Sequence, residues 1–146
     1  MHFVDTNVLV YARDDADPRK RDRARMIMAR LWQGGDGRLS QQVLIEFYST
    51  VTRKLKPGLP REEAIADVRE LSVWNPIRPS LPLFDQAWQL EERYGFSWWD
   101  SLIVAAAIAQ DCTTLLTEDL QHDLKIGKLR VVNPFHPYFD IASLGG

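Results

Sequence analysis

Short apolar runs of strand length alternate along this chain with longer amphipathic segments of helix length. That alternation limits the possible folds more than any other feature. Strands are expected at about 2–5, within "DGRLS" (36–40), over "TTLLT" (113–117) and near "LRVVN" (129–133). Helices are expected at about 7–12, 18–34, 41–55, 61–73, 82–94 and 98–110. The punctuation agrees: Asp17-Pro18 opens the second helix with Pro at its first position, Gly34-Gly35 closes it, and "KPGLP" (56–60) stops the third. Helices alternating with short strands predict an α/β sandwich with a mainly parallel sheet. At 146 residues, with no repeat and no long linker, residues 1–146 are expected to form one domain.

Bulk properties exclude several classes. The one cysteine, Cys112, cannot form an internal disulfide, and His2, His122 and His136 are scattered singly, so no zinc-ligand spacing exists. Asp5 interrupts the N-terminal apolar run, and the longest apolar stretch (102–109) is too short to span a bilayer. A soluble chain in a reducing, cytoplasmic setting is the expectation. The net charge of −2 argues against an indiscriminate nucleic-acid binder. The charge is unevenly spread, however. Residues 18–30 hold Arg19, Lys20, Arg21, Arg23, Arg25 and Arg30 against Asp22 alone, and Arg53, Lys54 and Lys56 form a second basic group. A charge run is as often only a solvated helix face.

Four carboxylates have suggestive addresses. Asp5 ends the first strand in "FVDTNVLVYARDD", where Asp-Thr-Asn would also serve as ordinary strand-to-helix punctuation. Asp119 follows the "TTLLT" strand, with Glu118 and Asp123 nearby. Asp100 falls three residues after Ser97, as in a capping box, in a first turn that also carries Trp98 and Trp99. On a projection of about 100° per residue, Glu46 lies roughly 60° outside the apolar stripe of its helix, with Arg53 within about 20° of it.

Each acid has a bland explanation; their shared address does not. Ligands of open α/β sheets gather at the carboxyl ends of strands, where Asp5 and Asp119 both stand. Clustered carboxylates raise one another's pKa unless cations compensate, and oxygen ligands without Cys or His suit Mg²⁺ or Mn²⁺. Metal-assisted phosphodiester hydrolysis has these requirements. A HAD-type phosphatase would need a second Asp at position 7, which is Asn. A phosphoacceptor receiver domain would need a Lys after the last strand, where Asn133-Pro134 stands.

The segments "FVDTNVLVYARD", "QVLIEFYSTVTRK", "FSWWDSLIVAAA", "LLTEDLQHD" and "LRVVNPF", in this order, closely resemble the PIN-domain ribonucleases, and among them the VapC-type toxins of toxin–antitoxin pairs. The resemblance spans residue 3 to about 135. It implies a three-layer α/β/α sandwich and Mg²⁺- or Mn²⁺-dependent RNA cleavage. By position, Asp5, Glu46, Asp100 and Asp119 are then the catalytic acids, with Asp5, Asp100 and Asp119 holding metal and Glu46 completing the site or orienting water. Thr6, Asn7 and Thr117 would support them. Arg53, Lys54 and the 19–25 run become candidates for the RNA backbone, and Trp98 and Trp99 for a base. The resemblance further implies a VapB-type antitoxin, seated among the first helices, and a homodimer. One departure is Asp123, where relatives often carry glycine. The alternative is a catalytically inactive PIN-like domain that binds RNA or protein, against which the presence of all four acids argues.

Overall fold

The computed structural model describes residues 1–145. Its elements are β1 (His2–Val4), α1 (Thr6–Tyr11), α2 (Pro18–Gly34), β2 (Gly37–Arg38), α3 (Gln41–Ser49), α4 (Arg61–Leu71), α5 (Leu81–Tyr94), α6 (Trp98–Ala109), β3 (Thr114–Leu116), β4 (Lys125–Ile126) and β5 (Leu129–Val132). The five strands form one sheet in the order β2-β1-β3-β5-β4, parallel except for the β4–β5 pair. β2 and β3 lie on opposite sides of β1. Right-handed crossovers therefore put the helices of the β1–β2 and β2–β3 connections on opposite faces, which gives three layers.

The helix ends follow local chemistry. The side chains of Asp17, Ser40, Ser80 and Ser97 each accept a backbone N–H at the start of α2, α3, α5 and α6. Gly35 and Gly95 end α2 and α5 at φ 66° and 71°, a conformation that favours glycine. The strands are short and their middles are covered on both faces: Phe3, Val4, Leu115, Leu116 and Val131 are inaccessible to solvent. Such strands read as apolar runs rather than alternating ones, as parallel sheets require. Among the described residues, no helix is long and apolar enough to cross a membrane.

Two features depart from the sequence reading. The helix expected to run to residue 55 is α-helical only to Ser49. Residues 50–54 form a π-helical turn, closed by the Leu55 N–H bonding to the Thr50 carbonyl at 3.0 Å. The 100° projection that aligned Arg53 with Glu46 does not hold through that turn. The second departure is β4, a two-residue strand that exists only by pairing with β5.

Candidate functional site

Chain direction reverses around β1: the connection after it runs to β2 on one side, and the next returns past it to β3 on the other. The carboxyl ends of β1 and β3 flank this switch point, where open α/β sheets leave a crevice. Val4 pairs with Leu116, so the next residues, Asp5 and Thr117, emerge side by side. Both are buried.

Asp5 caps α1. One of its oxygens, Oδ1, accepts the Thr6 N–H at 2.7 Å, while Oδ2 accepts the Thr117 hydroxyl at 2.8 Å. The Thr117 hydroxyl in turn accepts from the Asn7 amide at 3.0 Å and from the Asp119 N–H at 3.1 Å. With one donor and two lone pairs in use, Thr117 is saturated. Asn7 Nδ2 stands between two acids, 3.4 Å from Asp5 Oδ2 and 3.1 Å from Asp119 Oδ2. Thr6 turns the other way, its hydroxyl donating to Glu46 Oε2 at 2.9 Å. Three short polar side chains from two strand ends, Thr6, Asn7 and Thr117, thus hold Asp5, Glu46 and Asp119 about one centre.

Asp100 joins from the first turn of α6, where Ser97 accepts its N–H at 3.1 Å. Burial raises the Asp100 carboxyl above its ordinary value against hydrogen bonding from Ser97, and the charges of Asp119 and Glu46 raise it further. Asp5 is more strongly perturbed. Burial pushes it up to about 7, against the hydrogen bonds from Thr117 and Thr6, with Asp119 and Glu46 again adding repulsion. Among the described residues, no Lys, Arg or His forms an ion pair with any of the four acids.

The donor set is all oxygen, which suits a hard divalent cation. Among the described residues, no three His, Cys, Asp or Glu side chains converge tightly enough to enclose an ion. Asn7 accounts for part of that opening, since its amide already bridges Asp5 and Asp119. A mutually repelling carboxylate group built round the buried Asp5, with no ion-paired Lys, Arg or His among the described residues, fits a hard divalent metal in charge and ligand chemistry.

The structure shows what the other charged candidates touch. The 19–25 basic run is largely spent within the chain. Lys20 pairs with Glu118 at 3.0 Å, Arg21 with Asp15 and Asp22, and Arg23 and Arg25 bond to the carbonyls of Pro134 and Ala12. Glu118 is consequently not a spare ligand; it also accepts the Tyr11 hydroxyl at 2.6 Å. Asp123 belongs to a turn at φ 68°, which explains a glycine at that position. It is held by Arg130, which keeps its carboxyl below the ordinary range. Arg53 and Lys54 are exposed and, among the described residues, unpaired.

Gln42 was missed. Its amide donates to Glu46 Oε1 at 2.8 Å and to the Trp99 carbonyl at 3.4 Å, tying α3 to the start of α6. Its position one helical turn before Glu46 was the available signal.

Comparison with known proteins agrees with this geometry. The PIN domain family model matches residues 2–125. No curated protein matches the sequence significantly. Among solved structures, the chain is similar to one in a toxin–antitoxin complex from Klebsiella pneumoniae (TM-score 0.63, 19% identity, 92% of this chain and 98% of that one). It is also similar to a chain of VapBC2 from Rickettsia felis bound to a DNA fragment from its promoter (TM-score 0.56, 19% identity, 89% and 96%). At that identity the two structures speak for the fold alone. With the family model matching most of the length, and the acids placed at the switch point of the sheet, the chain belongs to the PIN domain family.

Proposed function

We propose that this chain is a divalent-metal-dependent endoribonuclease acting as the toxin of a toxin–antitoxin pair. The observation that carries the reading is Asp5: a buried carboxylate with no cationic partner among the described residues, held by Thr6 and Thr117 beside Glu46 and Asp119, which Asp100 also faces. A structural role alone gives no reason to bury that charge among other negative charges.

In this reading Asp5, Asp100 and Asp119 hold Mg²⁺ or Mn²⁺. When bound, such an ion activates water at neutral pH and neutralises charge on the phosphodiester. Glu46, fixed by Thr6 and Gln42, orients the attacking water and accepts its proton at a carboxylate oxygen. Asn7 and Thr117 keep Asp5 and Asp119 in register. Arg53 and Lys54 are the exposed cations offered to the RNA backbone.

The silencing partner is a small VapB-type antitoxin. A groove of about 710 Å³ runs between α1, α2, α3 and α4, with Leu9, Met28, Trp32 and Leu71 inside and Arg13 and Asp67 at its rim. An amphipathic segment of the antitoxin would lie there with its tail toward the acids. The free toxin is a homodimer in the cytoplasm.

Purified protein should cleave RNA in Mg²⁺ or Mn²⁺ and not in EDTA, and Asp5→Asn should abolish cleavage. Metal-independent cleavage, or full activity in Asp5→Asn, refutes the nuclease reading. Failure of a co-expressed antitoxin to relieve growth arrest refutes the toxin reading alone.

A further inference from the structure

A second cavity, of about 640 Å³, opens beside the acids between α3 and α6. Leu83, Phe84, Trp98, Trp99 and Leu102 make it almost wholly apolar, and Glu46 forms part of its wall. We infer that this pocket receives an unpaired nucleobase of the RNA, next to the phosphodiester bond that the carboxylates address; the inference rests on the ribonuclease reading above.

Continuity with the site is the first argument. Glu46 faces the pocket and also belongs to the acid group, and the Gln42 amide links it to the Trp99 carbonyl at the pocket mouth. A base lies one sugar away from its phosphate. A phosphodiester at the acids therefore brings a flanking base to this wall. The volume is also suitable, within the roughly 300–1,000 Å³ of small-ligand sites.

The lining is the second argument. The Trp98 ring is stacked on Trp88 at 5.7 Å and 23°, and meets the edge of Phe84 at 5.6 Å and 62°. This wall is preformed, so a ligand does not have to order it. Trp99 is 63% exposed beside it, an unusual position for so large an apolar ring. Stacking of a base on such rings tolerates any of the four bases, while the Gln42 side-chain carbonyl, whose amide nitrogen is already bound to Glu46 and the Trp99 carbonyl, is the polar group that would discriminate base edges.

A second copy of the chain is the competing occupant, because Ile45 (68% exposed) and Trp99 stand at the same face. Either occupant would strip water from the Glu46 side of the wall; only a nucleotide also places its own phosphodiester at the adjoining acids, where the ribonuclease reading needs it. A nucleotide adds an uncharged base to the pocket and leaves the carboxylates to their metal.

The test uses full-length wild type, Trp99→Ala and Trp99→Phe on a 12-nucleotide single-stranded RNA in Mg²⁺. Abasic versions of the RNA and an anisotropy titration on Asp5→Asn protein accompany it. Trp99→Ala should raise KM about tenfold or more with a smaller change in kcat, and Trp99→Phe should restore most of it. An abasic nucleotide beside the cleavage site should cost wild type as much, and cost Trp99→Ala little further. Unchanged KM in Trp99→Ala, with cleavage intact, overturns the pocket and leaves the nuclease standing. So does a Trp99→Ala protein that sediments as monomer where wild type is a dimer, with RNA affinity per protomer unchanged. Wild type that cleaves no RNA, with Asp5→Asn binding none, overturns both.

Discussion

Replacing Asp5 by Asn should stabilise the metal-free protein at neutral and alkaline pH while destroying its activity. Burial raises Asp5 from 3.8 to about 7. At about 1.36 kcal/mol per pKa unit, the ionised carboxylate costs the fold about 4 kcal/mol once the pH is above both values. The folded state holds its proton more tightly than the unfolded state. Stability therefore falls as pH rises between roughly 4 and 7, then levels off. More than half of that loss, roughly 2–3 kcal/mol, lies between pH 5 and 8. Asn removes the charge but has only one acceptor oxygen, whereas Asp5 uses both, one for the Thr6 N–H and one for the Thr117 hydroxyl. The lost hydrogen bond costs about 1 kcal/mol. The net gain at pH 8 is about 2–3 kcal/mol, or roughly 5–10 °C in Tm for a chain of this size. It should vanish near pH 4–5, where the wild-type carboxyl carries its own proton. Thermal unfolding in EDTA at pH 4.5, 6 and 8 measures this directly. Adding Mg²⁺ at pH 8 should raise the Tm of wild type and barely move that of Asp5→Asn. A variant no more stable than wild type at pH 8, or a Tm difference that does not change with pH, would refute the claim that Asp5 is a buried, uncompensated charge.

Two further substitutions probe how the site is held. Gly37→Ala puts a Cβ inside the Trp74 indole ring, so it should cost about 1–3 kcal/mol in urea unfolding and alter the near-UV circular dichroism of Trp74. Ser97→Ala removes the cap from the Asp100 N–H and should cost about 1 kcal/mol of stability; because it loosens the turn carrying Asp100, the apparent affinity for Mn²⁺, read by calorimetry, should fall as well. Mn²⁺ affinity equal to wild type would show that Asp100 does not need that turn, or does not bind metal.

Much of this architecture was legible because its signals are local. Capping residues and left-handed glycines set helix ends to within a residue or two, and apolar runs marked β1, β3 and β5. The features that escaped depend on partners distant in sequence. β4 carries no apolar run of its own and exists through Lys125 and Ile126 pairing with Arg130 and Leu129. The basic run left a solvated face and a nucleic-acid surface equally open because two of its partners, Glu118 and the Pro134 carbonyl, lie about a hundred residues away. The four acids were legible for the opposite reason. Three of them sit at strand ends or a helix start, positions that local pattern identifies, and parallel topology brings such positions to one edge. The Thr6–Glu46 bond required the packing of α1 on α3 and was out of reach, whereas Gln42, one turn before Glu46 on the same helix, was legible and overlooked.

The choice of residue at position 5 separates punctuation from chemistry. As the N-cap of α1 it needs only a short side chain with an acceptor oxygen, and Ser, Thr or Asn would supply one without burying a charge. Asp at the same place brings a carboxylate to a site 5% exposed, beside two other acids that repel it. The neighbouring residues do little to relieve that repulsion. Thr6, Asn7 and Thr117 donate neutral hydrogen bonds, which orient the oxygens without cancelling their charge. Stabilising Asp5 fully would need a Lys or Arg, and the single lysine of α2, Lys20, is instead bound to Glu118 and Tyr11. The charge is thus oriented and left open, an arrangement that weakens the metal-free fold and fits the chain for a cation supplied from outside.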